Sequence, residues 1–243
     1  MTAMADSPSP RTIAIIPARG GSKRIPRKNI KPFCGIPLLA RTIGLLESTG
    51  LFSRILVSTD DQEIADVARA SGAEVPFMRE PGLADDHTGT TAVICDAIVR
   101  LAEHGESAAV ICCAYPAAVL ASVSTLRDCA ASAATGDFDY VFPVSPYRYP
   151  IQRALKLTAD ATCDMLWPEN FARRSQDLEP VFHDAGQFYF GLRRAWLDQR
   201  PIFGPRSRVV VVPHTTVQDI DSPEDWERAE ALFTTAAFTH DSF

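Results

Sequence analysis

Apolar runs and amphipathic stretches alternate over the first 145 residues of this chain. Short, largely apolar runs typical of buried strands cover 13–16, 54–58, 108–113 and 140–144. Apolar residues recur at helical spacing in the intervals that begin at Pro37 and that cover 61–70, 90–101 and 122–134. This alternation predicts βαβ units, and therefore an α/β fold with a doubly wound, mostly parallel sheet between two layers of helices.

The pattern changes after residue 145. Gln152–Leu157 and Thr162–Trp167 read as two strands of a hairpin that turns around 158–160, and 168–184 is polar and irregular. We interpret about 146–184 as a small arm inserted into the α/β domain.

The remaining third of the chain returns to the alternating pattern. Gly186–Phe190 and Arg208–Val212 predict two more strands of the sheet, and Ser222 followed by Pro223 predicts the start of the last helix. The predicted organisation is a disordered leader over 1–11, a single domain over 12–234 and a loose tail over 235–243.

Composition narrows the class of protein. Of 243 residues, 46% are hydrophobic and 22% charged, which is usual for a globular protein, and no apolar stretch is long enough to span a bilayer. Residues 1–10 lack the basic start and apolar core of a signal peptide, so we expect a cytoplasmic protein. The six cysteines form no C-x-x-C pair, which favours buried free thiols. A net charge of -6 argues against a nucleic-acid partner.

One loop departs from this acidic balance. The first predicted strand stops at Pro17, and Gly20 and Gly21 follow in a loop where 19–31 carries six cations and no acid. Glycine lets backbone amides approach an anion closely, and Arg and Lys supply countercharge, so the loop predicts a polyphosphate site. The segment matches neither G-x-x-x-x-G-K-[ST] nor G-x-G-x-x-G.

Three loops are expected to meet at one edge of the sheet. Ligands of such folds bind outside the carboxyl ends of the strands. The basic loop, the Thr59-Asp60-Asp61 segment and the loop after Cys113 all follow predicted strands. They therefore predict one shared site.

Asp219 and Asp221 form a second candidate cluster just before the last helix. Alternating carboxylates in an extended segment point to one side, and two acids at one place favour a cation. Mg²⁺ commonly takes one or two carboxylates together with waters and substrate phosphates. Solvated acids near a helix start are the alternative interpretation.

The segments Ala18–Lys23 (ARGGSK) and Ile25–Asn29 (IPRKN) resemble the signature loop of the CMP-sialic acid synthetase family. The resemblance implies a Rossmann-like nucleotidyltransferase fold, CTP as co-substrate and Mg²⁺ held by Asp219 and Asp221. It assigns catalytic roles to Arg19, Lys28 and the two aspartates. The residues expected to contact the nucleotide are Ala18, Arg19, Gly20, Gly21, Ser22, Lys28, Asn29, Asp60, Ala117 and Ala118.

Within that family, Tyr149–Leu155, Arg174–Pro180 and His183–Tyr189 resemble the pseudaminic acid cytidylyltransferase branch. The resemblance implies transfer of CMP from CTP to an acidic nine-carbon sugar, with the arm completing the sugar pocket and contacting a second subunit of a homodimer. The residues expected to contact the sugar are Gln152, Arg174, His183 and Gln187. Of these, Arg174 suits a carboxylate, and the glutamines suit amides and hydroxyls. His183 and Asp184 are also candidate general bases.

One segment departs from the family pattern. Members usually carry Pro-Thr-Ala-Pro or Pro-Thr-Ser-Pro in a turn that lines the nucleotide pocket, whereas Tyr115–Leu120 reads YPAAVL. The hydroxyl at position 117 and the second proline are both missing, which predicts weaker binding of CTP.

Three alternatives stay open on the sequence. One is the same reaction with N-acetylneuraminic, legionaminic or a related acid, and another is a catalytically silent nucleotide-binding homologue. The third is a polyanion-binding module, which the acidic pI of about 5.4 disfavours.

Overall fold

A computed structural model of the chain describes residues 11–85 and 88–240, with only the helical backbone over 236–240. The helices and strands are, in chain order, β1 (Thr12–Pro17), β2 (Pro32–Phe33), β3 (Ile36–Pro37), α1 (Leu38–Thr49), β4 (Arg54–Ser58), α2 (Gln62–Ala70), α3 (Thr90–Glu103), β5 (Val110–Ala114), α4 (Val123–Ala134), β6 (Tyr140–Pro146), β7 (Leu155–Leu157), β8 (Cys163–Met165), β9 (Phe182–Asp184), β10 (Phe188–Leu192), α5 (Arg193–Leu197), β11 (Ser207–Val211) and α6 (Pro223–His240).

The central sheet has the order β11-β6-β10-β5-β1-β4, and β9 pairs with β6 beside it. Strand β1 is parallel to β4 and β5, and β11 is parallel to β6. The predicted α/β fold with a mostly parallel sheet is confirmed. Strands β9 and β10 are the exceptions: β9 runs antiparallel to β6, and β10 runs antiparallel to both β5 and β6. The chain enters β10 from β9, which already runs antiparallel to β6, through a short turn at Gly186.

Helices cover both faces of this sheet, as the strand and helix alternation predicts. Leu39 of α1, Ile64 of α2 and Leu126 of α4 belong to the buried cluster on one face. Ile98 of α3 and Trp196 of α5 belong to the cluster on the other. Each face of the sheet is therefore removed from water by its own layer of helices.

A third buried cluster joins the basic loop to the last helix. Ile25 from the loop and Ile220 from the segment before α6 pack with Phe33 and Trp226, whose rings meet edge-on with centroids 5.4 Å apart. Residues 25 and 220 are thus held at one place although they lie far apart in the sequence. This cluster brings the cation-rich loop and the predicted carboxylate pair together.

The ends of the chain differ from the sequence prediction. Arg11 is bound to the domain, because its carbonyl accepts from the Ala109 amide at 3.1 Å and its guanidinium donates to Ser53 Oγ at 3.2 Å. Helix α6 continues through His240, so the prediction of a loose tail is wrong for 235–240. Residues 1–10 and 241–243 lie outside the described residues.

The predicted hairpin of the arm is confirmed, since β7 pairs antiparallel with β8. The interpretation of 168–184 as irregular is wrong at its end, where Phe182–Asp184 forms β9 and pairs with β6. Three residues are too few for a periodic signal, so this strand depends on its tertiary partner.

The cysteines are all unpaired, and Cys112, Cys113 and Cys129 are buried as expected. Cys34 and Cys163 are exposed, so the expectation of burial is wrong for those two. In the part of the chain that the structure describes, we find no helix with both the length and the apolar character needed to cross a membrane.

Candidate functional site

A cavity of about 470 Å³, called the first cavity, lies at the carboxyl edge of the sheet. The basic loop after β1 and the segment after β5 both reach it, as predicted. The predicted site residues that line it are Arg19, Ser22, Lys28, Asn29, Ala117, Asp219 and Asp221. Its other lining residues are Pro17, Lys23, Arg24, Ile25, Tyr115, Pro116 and Gly186.

The basic loop is fixed by contacts with the segment after β4. The Gly20 amide donates to Asp60 Oδ1 at 3.0 Å, and the Arg27 guanidinium donates to both carboxylate oxygens of Asp61. Buried Asn29 donates from Nδ2 to the Arg19 carbonyl at 2.9 Å and closes the loop from inside. These contacts within the protein hold the loop in a defined shape, which favours tight binding of an anion.

The two predicted metal-binding aspartates face the loop cations. Asp221 Oδ2 lies 2.9 Å from an Arg24 nitrogen, and its Oδ1 lies 3.5 Å from Lys28 Nζ. Lys28 also donates to the Ile220 carbonyl at 2.7 Å. Ile220 is fully buried, so its side chain anchors the segment while the aspartates on either side line the cavity.

Asp219 differs from Asp221 in its surroundings. Within the described residues it has no ion pair, and its pKa is raised, first by desolvation at the cavity wall and then by the charge of Asp221. A carboxylate with a raised pKa beside a second carboxylate is stabilised by a cation placed between them.

The donors present fit Mg²⁺. Residues 11–85 and 88–240 contain no group of three or more His, Cys, Asp and Glu side chains that could hold a metal ion. Asp219 and Asp221 would therefore act with water and ligand oxygens, which is the usual coordination of Mg²⁺ in phosphoryl-transfer sites.

Five predicted nucleotide contacts lie outside the cavity wall. Ala18 and Ala118 are buried, and their amides donate to Ser58 O at 2.9 Å and Tyr115 O at 3.0 Å, so both amides are already paired within the protein. Direct contact of these two residues with the nucleotide stays a prediction. Asp60 accepts from Gly20 and so supports the loop, while Gly21 has open space around its Cα.

The structure does not bring the four predicted sugar contacts together in one cavity. Gln152 lines a second cavity of about 440 Å³ in the arm, and buried Gln187 donates to the Thr216 carbonyl at 2.6 Å. Exposed Arg174 pairs with Asp177 at 3.0 Å, and the His183 ring packs on Tyr147. None of these four side chains lines the first cavity.

A third cavity of about 230 Å³ adjoins the first and was not predicted. Pro17, Arg19 and Tyr115 line both cavities. The Tyr115 hydroxyl lies 3.1 Å from Thr90 Oγ1, and burial raises the pKa of this phenol, which stays neutral near pH 7. In the sequence, the position of Tyr115 directly after a predicted strand was the one feature that could have indicated a residue of this cavity.

Arg79 forms the floor of the third cavity. It is buried, and its guanidinium donates to Ser58 Oγ at 3.1 Å and to the Ser58 carbonyl at 2.5 Å. Desolvation lowers the pKa of Arg79 without removing its charge at neutral pH. A buried cation that lines a cavity attracts an electron-rich ligand atom.

A parallel-dominated sheet with a cation-rich loop facing two carboxylates at its carboxyl edge defines a nucleotide-binding site of the nucleotidyltransferase kind. The chain belongs to the cytidylyltransferase family, whose sequence model matches residues 13–238. This confirms the relationship expected from the basic loop.

Three similar proteins agree with that assignment. A pseudaminic acid cytidylyltransferase of Campylobacter jejuni is 41% identical over 92% of this chain and 96% of its own. A CMP-N,N'-diacetyllegionaminic acid synthase of Legionella pneumophila is 29% identical over 91% of this chain and 96% of its own. The structure of a CMP:2-keto-3-deoxy-manno-octonic acid synthetase complexed with CTP superposes with a TM-score of 0.69 at 15% identity, covering 93% of this chain and 99% of the other, and this confirms the fold.

Proposed function

We propose that this protein transfers CMP from CTP to a nonulosonic acid, with pseudaminic acid as the preferred acceptor, and that the reaction requires Mg²⁺. The observation that carries the proposal is the position of Arg19, Lys28, Asp219 and Asp221 around one cavity. The pseudaminic acid cytidylyltransferase of Campylobacter jejuni, 41% identical over nearly the whole chain, supports the choice of sugar.

In this proposal the nucleotide occupies both adjoining cavities. The triphosphate lies in the first cavity against the basic loop, where Arg19 and Lys28 supply charge. The cytosine lies in the third cavity, where the Arg79 cation and the Thr90 hydroxyl suit the acceptor and donor atoms of the base. Tyr115, which lines both cavities, lies beside the ribose.

The chemistry is an in-line displacement at the α-phosphorus of CTP. A sugar hydroxyl oxygen forms the new bond to phosphorus, the bond to the bridging oxygen of the β-phosphate breaks, and pyrophosphate leaves. The hydroxyl proton passes to solvent, since neither His183 nor Asp184 lines the first cavity. Reactions of this type depend on positioning and charge neutralisation more than on covalent catalysis.

The loop cations and the two aspartates have different roles in that reaction. Lys28, anchored by the Ile220 carbonyl, stabilises the charge that develops on pyrophosphate together with Arg19. Asp219 and Asp221 would hold Mg²⁺, which when bound polarises the phosphate oxygens.

We also propose that the arm over 146–184 completes the sugar pocket of a second copy in a homodimer. The support is twofold: Gln152 and Arg174 lie away from the first cavity of their own protomer, and the arm exposes large apolar side chains. Tyr149, Leu157 and Phe171 are 80%, 73% and 78% exposed. Apolar patches of this kind usually mark a protein contact.

The experiment is pyrophosphate release from CTP and Mg²⁺ with purified pseudaminic acid, run beside N-acetylneuraminic and N,N'-diacetyllegionaminic acids. Release with pseudaminic acid at the highest kcat/KM supports the proposal. A higher kcat/KM with another sugar would keep the reaction and overturn the acceptor. No release with any of the three, alongside measurable binding of CTP, would support the silent nucleotide-binding alternative.

A further inference from the structure

Arg24 is one of the lining residues of the first cavity to which the sequence assigned no individual role. Its side chain is 71% exposed, it lines the first cavity, and its guanidinium lies 2.9 Å from Asp221 Oδ2. A carboxylate proposed to bind the metal is therefore paired with a cation of the protein itself.

Lys28 shares that carboxylate but is held differently. Its amine lies 3.5 Å from Asp221 Oδ1 and donates to the Ile220 carbonyl at 2.7 Å. Its side chain is also only 23% exposed. Lys28 is therefore fixed near Asp221, whereas the exposed Arg24 side chain is free to change its partner.

The charges around the first cavity explain why Arg24 would need a new partner once a metal binds Asp221. Six charged side chains line the first cavity, and their two carboxylates (Asp219, Asp221) are outnumbered by four cations (Arg19, Lys23, Arg24, Lys28), so positive charge is already in excess. A divalent cation that enters alone must displace Arg24 and adds to that excess of positive charge. A metal that enters with a triphosphate brings the anion that the displaced guanidinium can pair with.

We propose that Arg24 is a positioning residue that exchanges partners, holding Asp221 in the free protein and pairing with the CTP triphosphate once the metal occupies Asp221. This rests on the proposed function. Arg24 makes metal and nucleotide binding interdependent: each ligand binds weakly alone and more tightly with the other. We assign the triphosphate as its second partner because Arg24 belongs to the same loop as Arg19 and Lys28.

The test uses the full chain with Mn²⁺ as the metal and no sugar, so that no reaction takes place. Mn²⁺ binding without CTP is measured by electron paramagnetic resonance, and CTP binding is measured by calorimetry with saturating Mn²⁺ and with EDTA. The variants are Arg24→Gln, Arg24→Lys as the conservative replacement, and Arg69→Gln as a control. Arg69 lies on α2, pairs with Asp66 and does not line the first cavity.

In Arg24→Gln we expect Mn²⁺ alone to bind about two- to fivefold more tightly, as loss of one exposed ion pair predicts. We expect CTP to bind about tenfold more weakly with Mn²⁺ but nearly as in wild type with EDTA, because Arg24 reaches the triphosphate only after the metal has displaced it. Arg24→Lys should recover most of the CTP affinity, and Arg69→Gln should match wild type.

Three results would overturn the exchange. Equal weakening of CTP binding with and without metal would make Arg24 a general source of positive charge. Tighter Mn²⁺ binding with unchanged CTP binding would exclude the triphosphate as partner. Binding of both Mn²⁺ and CTP as in wild type would show that Arg24 neither holds Asp221 nor pairs with the triphosphate. Absence of CTP binding in wild type would instead contradict the proposed function.

Discussion

Arg27 and Asp61 are 34 residues apart in sequence, yet the Arg27 guanidinium donates to both oxygens of the Asp61 carboxylate, with Nη2 3.0 Å from Oδ1. Arg27 has a φ of 57°, a left-handed conformation that costs free energy for a residue other than glycine. The same carboxylate caps α2 by accepting from the Ile64 amide at 3.1 Å. One aspartate thus stabilises a helix start and the strained turn of the basic loop.

Asp61→Ala is therefore expected to act on both stability and nucleotide binding. Loss of the helix cap should lower the free energy of unfolding by about 1 kcal/mol, measured in urea. Release of Arg27 should raise the KM for CTP with little change in kcat, because the loop binds the triphosphate less well. Asp66→Ala on the same helix is the control, since in the described part of the chain Asp66 pairs with Gln62 and Arg69, both on α2. Equal KM values for both variants would contradict the role of Asp61.

The same pair predicts a dependence of stability on pH. The hydrogen bonds from Arg27, followed by those from the α2 amides, hold the pKa of Asp61 below its ordinary value. A lowered pKa contributes stability that is full above the ordinary value near 4 and is lost as the pH falls through the lower folded value. Urea unfolding of wild type and Asp61→Asn should therefore give curves that converge between about pH 5 and pH 2. If the difference in unfolding free energy between wild type and Asp61→Asn stayed constant over this pH range, the charge of the carboxylate would not be involved.

Asp221→Asn should abolish turnover while leaving the fold intact. The substitution keeps the shape of the side chain but removes a charge that the proposed metal requires. Pyrophosphate release should fall by about a hundredfold or more at any practical Mg²⁺ concentration, a loss of roughly 3 kcal/mol of transition-state stabilisation.

Asp225→Ala is the matched control for that loss. Asp225 lies in the first turn of α6, where its carboxylate accepts from the backbone amides of Ser222 at 3.0 Å and Asp221 at 3.3 Å, and its side chain does not line the first cavity. It should lower stability by about 1 kcal/mol and leave turnover measurable. Unchanged turnover in Asp221→Asn would remove the metal assignment.

Gly20→Ala should weaken nucleotide binding through a steric effect. A Cβ at position 20 would lie 2.7 Å from Asp61 Oδ2, so either the loop or the carboxylate must move. We expect a KM for CTP raised several-fold and a small loss of stability. Gly44→Ala, in α1 with open space around the position, should keep the KM and gain up to about 1 kcal/mol of stability from helix propensity. A wild-type KM in Gly20→Ala would show that the loop adapts freely.

Ala117→Thr tests the departure from the family turn. Ala117 lines the first cavity, so a hydroxyl there is available to the nucleotide. One added hydrogen bond contributes about 0.5–1.5 kcal/mol, so the KM for CTP should fall by up to about tenfold with kcat unchanged. An unchanged KM would make residue 117 irrelevant to binding.

Only part of the structure of the arm could be predicted from the sequence. The β7–β8 hairpin was predictable because its strands are adjacent in the chain and their turn is short. Strand β9 was not, because its three residues depend on a partner in β6 that lies outside the arm's own pattern. The antiparallel direction of β10 follows from β9, so it was missed for the same reason.

The sequence alone determined the alternation of strands and helices over the first 145 residues, the basic loop after β1 and the family, because burial periodicity and a long motif both depend on residues that are close in the chain. Only the tertiary structure decided that Lys28 reaches the Ile220 carbonyl across 192 positions and that Arg24 occupies Asp221. It also decided that Arg79 is buried beneath the third cavity. These contacts depend on which surfaces meet when the sheet and helices pack. Local residue patterns predict helices and strands but not the contacts between segments that are distant in the chain.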